Sequence, residues 1–137
     1  MSSLQDLVDA FEALSPEDRL PWLIEFGNSM PQLPASLHAL RDAGEYIVHE
    51  CQAPVFLKVT WDADAINIRA DVPREAPIAR GFVALLQQAF NGSTKEIAAT
   101  GPADMLAALQ IRPLLGMQRQ VGLTAIYASL IQQLDTR

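Results

Sequence analysis

Val55-Phe56-Leu57-Lys58-Val59-Thr60-Trp61, then Asp62-Ala63-Asp64-Ala65, then Ile66-Asn67-Ile68-Arg69-Ala70-Asp71-Val72 is the stretch that decides the fold. Its first run is dense in β-branched and aromatic residues, which fit a pleated, half-buried surface. Its last run alternates Ile66, Ile68, Ala70 and Val72 with Asn67, Arg69 and Asp71, the period of two expected of an antiparallel strand with one buried face. The four residues between them read as a hairpin loop. Immediately upstream, Glu45 to His49 is partly β-branched and reads as a short companion strand, with Cys51 in the turn that follows.

On both sides of this block the period changes to that of a helix. Leu4, Leu7, Val8 and Phe11 predict a short amphipathic helix over 3–14. Ser15-Pro16-Glu17-Asp18 supplies a cap, a proline at the first helical position and early acids, so a second helix runs toward Gly27 and should bend at Pro21. Ser36 to Arg41 predicts one further helical turn before Gly44. After the strands, Ile78, Phe82, Leu85, Leu86, Ala89 and Phe90 give a wide apolar face from Pro77 to Asn91-Gly92. Ser93-Thr94-Lys95-Glu96 matches a capping box, Gly101-Pro102 opens a short helix through about Leu109, and Met117 to Leu134 carries Val121, Tyr127, Leu130 and Ile131 at helical spacing.

Helices, three consecutive strands and helices again is the segregated order of an α+β fold, here a small antiparallel three-stranded sheet packed on one face by helices. The 137 residues fit one domain, 1–137, and half of them are apolar, enough to offset the entropy of ordering. A net charge of −6 with no basic tract argues against a nucleic-acid partner. No apolar run is long enough to span a membrane, and Met1-Ser2-Ser3-Leu4 opens no basic and apolar leader, so a cytoplasmic protein is expected. One cysteine and two histidines, His38 and His49, allow no internal disulfide and leave few ligands for zinc.

A thiolate is the strongest ordinary nucleophile near neutral pH, which makes Cys51 the leading chemical candidate. Among Val48, Pro54, Val55 and Phe56, however, a lone cysteine is more often an inert core thiol. His49 lies two residues away but has no third group to orient it, so a Cys–His hydrolase is weakly supported. Arg80 and Arg119 could bind anions or carboxylates of a partner, although solvated arginines are the commoner case. Gly81 and Gly122 fall inside predicted helices, where close packing is the expected compensation. Trp22 and Trp61 read as core or its margin.

Taken in order, Glu25-Phe26-Gly27, Glu50-Cys51-Gln52-Ala53-Pro54-Val55-Phe56-Leu57, Ile78-Ala79-Arg80-Gly81-Phe82 and Arg119-Gln120-Val121-Gly122-Leu123 resemble the landmarks of the SufE family across nearly the whole chain. In that family a glycine usually precedes the cysteine and a serine follows the glutamine; here they are Glu50 and Ala53. The negative charge of Glu50 should disfavour the thiolate, and Pro54 restricts the loop. The resemblance implies a sulfur acceptor that takes persulfide sulfur from a cysteine desulfurase, SufS-like or CsdA-like, onto Cys51 and passes it toward iron–sulfur cluster assembly. It implies no cofactor. It places Gln52, Glu75, Arg80 and Arg119 toward the partner, adds an iron–sulfur scaffold complex as a further partner, and leaves a homodimer open. The alternatives are a regulatory module that binds a desulfurase without accepting sulfur, and a thiol hydrolase.

Overall fold

The computed structural model describes residues 3–136. Its sheet has the order β1 (Ile47–Val48), β2 (Val55–Asp62), β3 (Ala65–Asp71), antiparallel throughout. The hairpin closes more tightly than its four-residue loop suggests: Asp62 and Ala65 still pair, and Ala63 turns the chain at φ +53. Leu57, Val59, Ile66, Ile68 and Ala70 are buried on one face, while Lys58, Thr60, Asn67 and Arg69 are half-buried on the other. Phe56 points to that second face and is buried there, with the Tyr46 ring edge-on at 6.3 Å and Lys58 Nζ 4.6 Å from the Tyr46 centroid.

The helices are α1 (Ser3–Ala13), α2 (Pro16–Phe26), α3 (His38–Asp42), α4 (Pro77–Phe90), α5 (Lys95–Ala99), α6 (Met105–Ala108) and α7 (Met117–Leu134). On the covered face α4 packs against β3 and α7 against β2, burying Phe82, Leu85 and Leu86 with Leu123, Ile126 and Leu130. Among the described residues, no helix is long and apolar enough to cross a membrane.

Several expected boundaries shift for local reasons. Strand character over Glu45 to His49 contracts to Ile47–Val48, because Gly44 (φ +81) and Tyr46 (φ +57) are left-handed and cannot extend a strand. The cap of α5 is Thr94 rather than Ser93: the Thr94 hydroxyl accepts from Ile97 N at 3.3 Å, while the Ser93 carbonyl is taken by Ile66 N. Helix α6 starts after Asp104, whose carboxylate caps Ala107 N, and not at Gly101-Pro102. Trp22 packs with its ring tilted against Phe11 and Phe26, its centroid 4.6 Å from that of Phe11.

Arg19 is 9% exposed and serves the end of α1. Its Nε donates to Phe11 O at 2.9 Å, Nη2 to Leu14 O at 3.0 Å and Glu12 O at 3.4 Å, and Nη1 to Gln110 O at 3.5 Å. Phe11, Glu12 and Leu14 lie at the C-terminal end of α1, where helix carbonyls lack a full set of backbone donors, so one guanidinium terminates the helix and ties it to Gln110. Replacing Arg19 by Met is expected to lower stability by about 2 kcal/mol, since several charge-assisted bonds go at once. Urea titration reads the loss, and an unchanged midpoint would mean that these bonds contribute nothing.

Side chains and a turn meet the backbone of β2 beyond the short β1 and the outer edge of β3. Where β1 ends, Gln133 of α7 reaches β2: its Oε1 accepts from Val59 N at 2.8 Å and its Nε2 donates to Leu57 O at 2.9 Å. Along β3, Ile66 exchanges backbone bonds with Gly92 and Ser93, Ile68 N donates to Asn91 Oδ1 at 2.7 Å, and Gln87 Nε2 donates to Ile68 O at 3.0 Å.

Candidate functional site

The pairing of β1 with β2 is only two residues long, and the chain between them folds into a turn in which Cys51 N donates to Val48 O at 3.4 Å. Cys51 is half-buried, and its thiol donates to Gly122 O of α7 at 3.5 Å. The glycine favours that approach. A Cβ built on Gly122 would stand 3.3 Å from Cys51 Sγ, tighter than most such contacts, and 3.7 Å from its Cα, an ordinary contact. Burial, and then the charge of Glu50, push the thiol up from its usual value of 9.0 to about 11.

A cleft of about 170 Å³ opens beside the thiol, between the turn, the residues leading into α4 and the first turns of α7. Its lining brings Cys51, Gln52, Glu75 and Arg119 together with Gln118 and Gly122. Gln52, Glu75, Gln118 and Arg119 are exposed, so the rim presents both signs of charge to anything that docks over the sulfur. Gln118 was not singled out from the sequence. Its signal is the spacing on α7, where positions 118 and 122 lie one turn apart on one side of the helix.

Arg80 stands apart from this group. Its Nε donates to Gly27 O at 3.0 Å and its Nη1 to Val72 O at 2.6 Å, which pins α4 to the end of α2 and to the segment that follows β3. His49 is exposed and outside the cleft lining, and His38 Nε2 lies 3.1 Å from Leu33 O. The thiol therefore has no histidine on its cleft wall to act as a base, as a hydrolase would need.

Of the landmarks that suggested a family in the sequence, those around Cys51 and Arg119, with Ile78 and Ala79, line one cleft, and the family profile of SufE, an Fe-S metabolism associated domain, matches residues 5–134. The chain belongs to the SufE family. An uncharacterised SufE-like protein of Mycobacterium tuberculosis is 31% identical over 132 residues, covering 96% of this chain and 90% of that one. A second uncharacterised SufE-like protein, from Rhizobium meliloti, is 28% identical over 141 residues, covering 100% of this chain and 98% of that protein. The solution structure of a hypothetical protein from Thermus thermophilus superimposes with a TM-score of 0.82 at 25% identity, covering 98% of this chain and 94% of the other. Membership in the SufE family associates the chain with iron–sulfur metabolism.

Proposed function

We propose that this SufE-family protein accepts persulfide sulfur from a cysteine desulfurase, SufS-like or CsdA-like, on Cys51, stimulates that enzyme, and passes the sulfur toward iron–sulfur cluster assembly in a reducing, cytoplasmic setting. The observation that carries this reading is the cleft in which the chain's single thiol meets Gln52, Glu75 and Arg119 within a SufE domain. In the transfer, Cys51 loses its proton and its Sγ attacks the outer sulfur of the desulfurase persulfide. A new S–S bond forms as the old one breaks, and the desulfurase cysteine leaves as a thiolate that takes up a proton. No electrons enter or leave, and the chain needs no cofactor for this step.

A thiol with a pKa of about 11 is almost wholly protonated near neutral pH, so the free protein holds its nucleophile in reserve. Docking of the desulfurase then has to draw the 49–53 turn off α7 and bring Cys51 into a more polar setting. The test is incubation with a purified desulfurase and cysteine, followed by mass analysis for a gain of about 32 Da, one sulfur atom, on Cys51. An unmodified Cys51 together with a stimulated desulfurase would replace this reading by that of a regulatory binding module.

Glu75 and Arg119 are exposed at the cleft, while the sulfur's hydrogen bond goes to Gly122 O, so their assigned role is docking. Arg119→Ala or Glu75→Ala is expected to weaken desulfurase binding about 3- to 10-fold, as loss of a rim charge commonly does, while alkylation of Cys51 in the free protein stays near the parent rate. Titration of binding against labelling separates the two effects, and an unchanged affinity would remove both residues from the interface.

A further inference from the structure

We propose that Gly122 is a positioning residue that sets the resting reactivity of Cys51, its missing side chain letting the thiol close onto the Gly122 carbonyl of α7. This deepens the sulfur-acceptor reading and rests on it for its biological meaning, but its physical content is independent of any partner.

The geometry leaves little slack. Cys51 Sγ lies 3.5 Å from Gly122 O, and a Cβ on the same residue would lie 3.3 Å from that sulfur and 3.8 Å from Glu50 O. A methyl group there requires the Cys51 sulfur to give by a few tenths of an ångström, and the turn that carries it is held on one side by a strand pairing of only two residues. The carbonyl is an acceptor, so it stabilises the S–H form and repels a thiolate. Burial and the neighbouring Glu50 act in the same direction. Alanine is ordinarily preferred over glycine inside a helix, so a glycine kept only for helix packing would not be expected to govern sulfur chemistry. Gly81 has that packing role, with Leu23 O where its Cβ would be. Gly122 instead faces a loop carrying the chain's one thiol.

The test compares the intact protein with Gly122→Ala in two readouts. In the first, iodoacetamide labelling of Cys51 is followed against pH. The variant is expected to show an apparent pKa about one unit lower or more, and labelling near neutral pH about threefold to tenfold faster, because the gain in thiolate is partly offset by its lower nucleophilicity. In the second, the infrared S–H stretching band, isolated by subtracting the Cys51→Ser spectrum, is expected at lower frequency in the native protein than in the urea-unfolded chain, and to move back toward the unfolded position in Gly122→Ala. An unaltered labelling profile in a folded Gly122→Ala overturns the proposal. Should that variant fail to fold, a native S–H band at the unfolded frequency overturns it and a lowered one upholds it. Neither readout involves a desulfurase, so a failure here is distinct from a failure of Cys51 to accept sulfur.

Discussion

Cys51→Ser is expected to leave no sulfur on the chain after incubation with an active desulfurase and to return that enzyme to its unassisted turnover. The hydroxyl has the shape of the thiol but cannot form a persulfide, and the chain has no second cysteine to substitute for it. Docking should survive, because the rim residues Gln52, Glu75 and Arg119 are untouched, so the variant should compete with the parent protein for the enzyme. Full stimulation by Cys51→Ser would sink the acceptor reading. The same substitution isolates a pH effect. In the native state the thiol titrates near 11, above its usual 9.0, so between those values the folded chain holds a proton that the unfolded chain has lost. Stability contributed by the buried thiol is therefore fully present below about 9 and falls as pH rises toward 11. Cys51→Ser should lack that fall, which denaturant titrations across the interval would reveal.

Gly81→Ala is expected to destabilise the fold by about 3 kcal/mol or more, the scale of severe overpacking. Two effects oppose each other at this site. Alanine is the better helix former by about 1 kcal/mol. Against that, a Cβ on Gly81 would lie 2.8 Å from the Leu23 carbonyl carbon and closer still to its oxygen, and a backbone carbonyl inside α2 cannot rotate aside as a side-chain tip could. Separating α2 from α4 would disturb the packing of Leu23 and Phe82, both wholly buried, so the clash outweighs the propensity. Urea unfolding measures the difference; a stabilised variant would show that α2 can shift at small cost.

The sheet and its two long covering helices were legible because their signals are local and periodic. The alternation from Ile66 to Ala70, the apolar face from Pro77 to Phe90 and that from Met117 to Leu134 each recur in the structure at or near the boundaries expected. Short elements were read less well, since their ends depend on who takes each backbone group. Ser93 gives way to Thr94 as a cap because its carbonyl is claimed by β3, a partner distant in sequence. The grouping of the candidate residues was legible as far as ordered motifs reach: Cys51, Gln52, Glu75 and Arg119 line one cleft. What the sequence could not show is how side chains are spent. Arg80 faces two backbone carbonyls rather than the rim, and Gly122 answers to a loop 71 positions earlier in the chain rather than to another helix.

The carboxamides of Gln133, Asn91 and Gln87 give the outer edges of the sheet a further meaning. At Leu57, Val59 and Ile68 they occupy backbone groups that an incoming strand would use, and the 92–93 turn does so at Ile66. A three-stranded sheet with exposed edges would invite strand addition and cross-β stacking between copies. With those positions filled, strand addition at the middle of β2 and along Ile66 to Ile68 of β3 would have to displace bonds already made.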